Sequence, residues 1–229
     1  MLALFLLQVN MAANELAATQ AEGISLNFWE LALKGGWIMI PILALSVIAI
    51  FIFFDRYFAL QKASKFDSNL MNQIRQNIQA GKIDSALALC QSANKPITRM
   101  IEKGIHRIGR PLNDVSAAIE NVGNLEIARL EKGLPLLASV AGGAPMLGFL
   151  GTVMGMIQAF YDMANAGNNI DVTLLSSGIY QAMVTTVAGL IVGIVAYFAY
   201  NILVARVDSL VFKMEGSTTE FMDLLNEPA

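Results

Sequence analysis

Between Lys132 and Arg206 lie 73 residues whose only formal charges are Asp162 and Asp171. Backbone N–H and C=O groups must be paired inside the chain wherever water is absent, so a stretch this apolar is restricted to membrane helices or a closed barrel. A helix rises ~1.5 Å per residue and needs about 20 apolar residues to cross a ~30 Å hydrocarbon layer. Three runs meet that requirement: Trp37 to Phe54, Leu134 to Phe160 and Leu174 to Val204. The second and third exceed the minimum and are expected to tilt or to project beyond the bilayer. Charged residues make up 14% of the chain, against about 25% for a soluble domain, so no large independent soluble core is expected.

These runs divide the chain. Residues 1–36 open with MLALFLLQV, too short to span and without the basic start of a secretory signal, so they are expected to stay on the chain as a periplasmic, interfacial helix ending in the Gly35-Gly36 turn. A floppy terminus is the competing reading. The first spanning helix is expected over 37–60, a helical segment over 61–133, the second span over 134–161, a short loop over 162–173, the third span over 174–207, and a tail over 208–229. Eleven of the 15 basic residues fall between the first and second spans, Arg206 and Lys213 follow the third, and only Lys34 lies on the other side. Basic residues favour the cytoplasmic face, which places the N-terminus outside, the C-terminus inside, and residues 162–173 outside.

The segment over 61–133 reads as helices. Phe66, Leu70, Ile74 and Ile78 recur every four residues, Gly81 breaks the run, and Asp84 is placed to cap the next helix. After Asn94-Lys95-Pro96, Ile97, Ile101, Ile105 and Ile108 share a face. Gly109 and Pro111 then make a turn, and Asn113 or Asp114 can cap a helix through Val115, Ile119 and Val122 that is expected to run through Glu126 and Arg129 directly into the second span.

Much chemistry is excluded by counting. One cysteine, Cys90, gives no disulfide framework or thiolate metal site, and one histidine, His106, gives no imidazole cluster. No catalytic residue, metal or cofactor is assigned, and the chain is not expected to be an enzyme. A net charge of −3 with mixed signs does not suit nucleic acid. The partners expected are membrane lipids and other chains.

The second and third spans combine small residues with hydroxyls. Gly148, Gly151 and Gly155 lie near one face of the second, and Ala182, Gly189 and Gly193 near one face of the third; such rows allow backbones to approach closely. Two uses are open, packing within the chain or contact between chains. Thr152, Gln181, Thr185 and Thr186 share these helices, yet their cores hold no Asp, Glu, Lys, Arg or His. A proton path built from this chain alone would have nothing to titrate, whereas hydroxyls and an amide can hydrogen-bond a carboxylate supplied by another chain. Interhelical glue is the other use of the same hydroxyls.

The run Gly133 to Ala141, then Ala144-Pro145-Met-Leu-Gly148-Phe-Leu-Gly151-Thr152-Val-Met-Gly155 onward to Phe160, resembles the signature of the ExbB/TolQ/MotA family. Gly178-Ile179-Tyr180-Gln181-Ala182 through Thr186 and Gly189 to Asn201 resembles its second half. The resemblance covers all three spans in order and spacing. It implies an all-α protein with three transmembrane helices, two of them extended into the cytoplasm, assembled as a homopentameric ring in a bacterial inner membrane. It further implies a proton-driven motor in which the second and third spans surround the single-span helices of an ExbD-like partner carrying an Asp, with force passed to a TonB-like protein. Thr152 and Thr186 match the family's pore-facing threonines. Gln181 falls where ExbB and TolQ proteins usually carry a glutamate, so the proton-carrying role moves to the partner. Pro135 and Pro145 match family prolines, read as helix kinks near the inner mouth. A TolQ-like subunit of an envelope-constriction system and a non-conducting membrane scaffold are the rivals; a MotA-like stator normally has four spans.

Overall fold

The computed structural model describes residues 35–64, 68–165 and 172–226. The expected helix over 1–36 lies outside them except for Gly35 and Gly36, as do Phe66 and residues 166–171 of the expected 162–173 loop, whose first four residues instead continue the preceding helix. Among the described residues there are seven helices and no strand: α1 (Met39–Ser64), α2 (Ser68–Gln79), α3 (Ile83–Ala93), α4 (Pro96–Ile105), α5 (Leu112–Leu130), α6 (Leu134–Asn165) and α7 (Val172–Asn226). Three stretches are long and apolar enough to cross a membrane: α1, the α6 part of Leu112–Asn165, and the first part of α7. The protein is a multi-pass membrane protein.

Helices α6 and α7 form an antiparallel hairpin, and α1 lies along one side of it. Buried Ala49, Ile52 and Leu60 of α1 meet Leu134, Leu137, Val140 and Ala144 of α6 and Ala196, Leu203 and Val207 of α7. At the opposite end of α1, Ile38, Met39 and Ile42 pack on Leu147, Ala188 and Val192. The rest of α1 is apolar and exposed, with Val47, Phe51 and Phe58 on its outer surface. That is the surface a helix presents to lipid.

A second core is built from α2 to α5 and the far end of α7. Ile74, Cys90, Ile97, Ile101, Ile105, Val115 and Ile119 are buried in it, as the four-residue spacing predicts. Ile108 lies beyond the end of α4 and is exposed. The segment after residue 207 carries on as the same α7 helix to Asn226, and its Leu210, Met214 and Phe221 enter this core. Gly104 makes room for the Phe221 ring, since a Cβ there would stand 2.6 Å from Cε1. Fully buried Thr98 accepts from the Lys95 N–H and donates to the Lys95 carbonyl, both at 3.0 Å, and so fastens the start of α4 beside Pro96.

Two expectations change. Helices α3 and α5 start at Ile83 and Leu112, preceded by Lys82 and Pro111 without a side-chain cap; Asp84 and Asp114 sit in the first turn, where a carboxylate faces the positive end of the helix. And α5 does not run directly into α6: it ends at Leu130, and a turn through Gly133, whose φ of +88° is the left-handed conformation glycine adopts without strain, starts α6 anew. The Arg56 guanidinium reaches the Arg129 carbonyl at 3.4 Å, tying α1 to the freed carbonyl end of α5.

Candidate functional site

Where α6 and α7 meet, side chains are almost absent. A Cβ on Gly148 would stand 3.0 Å from the Thr185 carbonyl and 3.1 Å from the Thr186 Cα; one on Gly155 would stand 3.0 Å from the Gly178 carbonyl and from the Ala182 Cβ; one on Gly189 would meet the Ala144 carbonyl at 2.5 Å and the Gly148 Cα at 2.9 Å. Gly151 leaves the space that the Thr185 side chain fills. Gly148, Gly151, Gly155, Ala182, Gly189 and Gly193 thus sit in one seam within a single chain. Of the two uses left open for these residues, they serve the first.

The prolines behave differently from one another. Pro145 is inside α6, where it has no N–H for the Ala141 carbonyl. Gly193 comes up to that place: its Cα faces the Pro145 ring, and a Cβ on it would lie 3.0 Å from the Ala141 oxygen. Pro135 is the second residue of α6, where a missing N–H costs no intrahelical bond. It begins the helix and does not bend it.

Thr185 is buried in the seam and donates to the Ala182 carbonyl at 2.8 Å. Thr186 donates across the seam to the Gly148 carbonyl at 3.0 Å, and Thr152 donates to the Phe149 carbonyl of its own helix at 2.6 Å. Both are half-exposed. Successive residues turn about 100° around a helix axis, so Thr152 stands 100° past Gly151 and Thr186 the same angle past Thr185. Because the helices are antiparallel, that rotation carries both threonines to the same flank of the hairpin. Gln181 stands 100° before Ala182, on the other flank. There its amide lies against the Gly35-Gly36 turn, on the side where Leu147, Ala188 and Val192 receive α1.

The three polar residues singled out in the sequence therefore separate. Thr152 and Thr186 stand on the same flank, the one that α1 leaves bare, with exposed Phe149, Met183 and Leu190. Gln181 is taken up by contacts within the chain. Each threonine hydroxyl has one proton, and each proton is spent on a carbonyl, so what the flank presents is oxygen lone pairs. Such oxygens accept from a protonated carboxyl or a water without any change; facing an ionised carboxylate, they must first let go of their carbonyls.

Outside the membrane region, buried Glu126 is held between Arg99, at 2.8 Å, and Arg129. Arg99 also donates to the Asn94 side chain from two nitrogens, at 3.0 and 2.9 Å. This cluster joins the α3–α4 connection to α5. Sequence reading passed over it because Arg99 and Glu126 are 27 positions apart. Burial raises the Cys90 thiol, with a smaller contribution from the Glu102 charge, from an ordinary value of 9.0 to about 12.

Residues 92–216 match the MotA/TolQ/ExbB proton channel family. A Synechocystis protein named as an ExbB-like biopolymer transport protein is 32% identical over 211 residues, covering 86% of this chain and 77% of its own length. A Methanothermobacter thermautotrophicus protein named as an ExbB homologue of biopolymer transport is 27% identical over 81% of this chain, which spans 66% of that relative. The Tol-Pal system protein TolQ of Pseudomonas aeruginosa is 26% identical over 82% of this chain and 86% of its own. The match to the family takes in α4, α5, α6, the glycine seam and both threonines, and on that extent the chain belongs to the MotA/TolQ/ExbB proton channel family.

Proposed function

We propose that the chain is the ring subunit of an ExbB-like proton-driven motor in a bacterial inner membrane, and that its α6–α7 hairpins surround the single-span helices of an ExbD-like partner. The observation that carries this reading is the placement of Thr152 and Thr186 on the same hairpin flank, the one that α1 leaves bare, in a stretch with no carboxylate or basic side chain beside them. Facing lipid, these hydroxyls would keep only their bonds to backbone carbonyls, whereas facing a partner's Asp they would exchange hydrogen bonds with it. In the cycle we infer, the partner carboxyl arrives protonated and donates to the threonine oxygens. When it gives its proton up to water, the carboxylate left behind draws their hydroxyl protons away from the carbonyls of Phe149 and Gly148. Loss of the proton is thereby linked to loss of the Thr186 bond across the seam, which is a route from protonation to movement of α7 against α6.

Five hairpins closing into a ring would place five such flanks around one axis, a cyclic arrangement in which every heterologous contact finds its counterpart. The N-terminus is outside and the C-terminus inside on this reading, and the work is delivered to a TonB-like protein for import across the outer membrane. We assign no catalytic, metal-binding or cofactor-binding residue to the chain.

The test is Thr152→Val with Thr186→Val in a strain dependent on this subunit. The change keeps shape and removes the hydroxyls. Losing a hydrogen bond to a charged group costs about 1.5–3 kcal/mol, or roughly ten- to a hundred-fold, so proton-driven uptake should fail while the ring still co-purifies with its partner. Normal uptake would favour the non-conducting scaffold. The similarity to a TolQ protein supports a second reading, envelope constriction; restoration of outer-membrane integrity instead of TonB-dependent import, in strains lacking one system or the other, would decide for it.

A further inference from the structure

Helices α1 and α7 diverge enough to leave a groove of about 580 Å³ on the side of the molecule away from the threonines. Its walls are apolar apart from one hydroxyl, with Ser46, Phe53 and Phe54 on α1 and Val195, Phe198 and Ile202 on α7. Further along the same two helices, toward the end that carries the basic residues, a separate hollow of about 260 Å³ is lined by Gln61, Ser64, Arg206 and Ser209, with Leu60 at its base. Arg206 is steered toward it from the side, its guanidinium lying over the Tyr57 ring at 4.1 Å. Among the described residues Arg206 makes no ion pair. Asp55 is paired with Arg56, and Asp208 lines a different cleft with Glu131.

We propose that this groove and hollow together hold one anionic glycerophospholipid, an acyl chain along α1 and α7 and the phosphate on Arg206. Three features fit that occupant. From Ser46 to Gln61, and from Ile191 to Arg206, is fifteen residues, about 22 Å along a helix. A bilayer with its headgroups is about 40–45 Å thick, so the site is as deep as one leaflet. A spanning helix of another chain would need a groove through both. The polarity changes once, from hydrocarbon walls to a guanidinium with two hydroxyls and an amide, in the order that a lipid changes from chain to phosphate. Finally, the hollow supplies donors only where the headgroup would stand, and its charge is positive.

The site lies on the flank that α1 covers, so its occupancy can be measured without partner or proton gradient, and the outcome is independent of the role given to Thr152 and Thr186. The experiment is native mass spectrometry of the delipidated ring after exposure to phosphatidylglycerol or to phosphatidylcholine with the same acyl chains. We expect phosphatidylglycerol to be retained at one per chain and phosphatidylcholine more weakly. Arg206→Gln should weaken phosphatidylglycerol about fivefold, as for one basic residue meeting an anionic lipid, and phosphatidylcholine less, because its choline ammonium offsets the phosphate charge that both lipids share. Ala199→Phe, which fills the groove, should weaken both. Equal retention of the two lipids by the unaltered protein, or indifference to Arg206→Gln, would overturn the proposal. So would a photoreactive residue in place of Phe198 that forms adducts only with a neighbouring chain and none with lipid.

Discussion

The side-chain amide of Gln181 fills the space in which a Cβ on Gly36 would stand, and Gly36 has a φ of +70°. The turn that leads into α1 is therefore closed over the first part of α7 by a contact that only glycine permits. Gly36→Ala meets two obstacles, the left-handed backbone and the amide. The first alone costs about 1–2 kcal/mol, and thermal unfolding in detergent should shift down by about 2–8 °C. Adding Gln181→Ala should return only part of the loss, because it removes the collision and leaves the backbone strain. An amide does not titrate, so Gln181→Ala by itself should leave the pH dependence of proton-driven activity where it was.

The two threonines should differ in what they contribute to stability. Thr186→Val removes a bond between helices, worth about 0.5–1.5 kcal/mol, whereas Thr152→Val removes one within α6. Melting of the purified ring should fall further for the first than for the second. Thr→Ser at either position keeps donor and acceptor and should restore both stability and activity.

Seam glycines and outward glycines should respond oppositely to a methyl group. Gly189→Ala forces backbone away from the Ala144 carbonyl and the Gly148 Cα, at a cost of about 1–3 kcal/mol. Gly142 has open space around it within the chain, and Gly142→Ala should be neutral or slightly stabilising in a helix interior. Denaturant titration followed by circular dichroism separates the two cases. A large loss at Gly142 would show that a second chain approaches there.

Glu126→Gln should loosen helices α2 to α5 without disturbing the spans. It replaces a carboxylate bonded to two guanidiniums, a contact of about 1.5–3 kcal/mol, with a neutral amide. Limited proteolysis should then cut first near the α3–α4 connection, while α6 and α7 stay protected.

Cys90 should be inert. With its thiol raised to about 12, the thiolate fraction of the folded protein begins to grow three pH units above that of a free thiol of 9.0. The raised value also sets a sign for stability. The contribution of this group is complete below pH 9.0, declines as the unfolded thiol ionises first, and is lost as pH passes about 12. Maleimide labelling should be negligible at neutral pH and rapid in denaturant. The unmodified background then permits Asn168→Cys as a topology reporter, which should label from outside the cell; labelling from the cytoplasm alone would reverse the orientation.

The spans and helices α2 to α5 could be read from the chain because they depend on nearest neighbours in sequence, the four-residue recurrence of Ile97, Ile101 and Ile105 being a clear case. The α5–α6 break was hidden because Gly133 looks like any other glycine until its φ is known. Gln181 was placed with the threonines on spacing and resemblance; its contact with Gly36, 145 positions away, is a tertiary fact that no local pattern records. The glycine rows announced close approach but not to what. That depended on the hairpin, which lays Gly148 onto Gly189 within one chain.

Helix α7 runs 55 residues from Val172 to Asn226 with no proline, about 82 Å of unbroken rod. It carries Thr186 near one end and plants Phe221 in the core of α2 to α5 near the other. A rod with no proline hinge cannot keep a displacement to itself. A small tilt at Thr186 would reappear, enlarged by leverage, at Phe221 and the helices gathered around it, so in a motor of the kind proposed that end is where movement would be easiest to watch and easiest to jam.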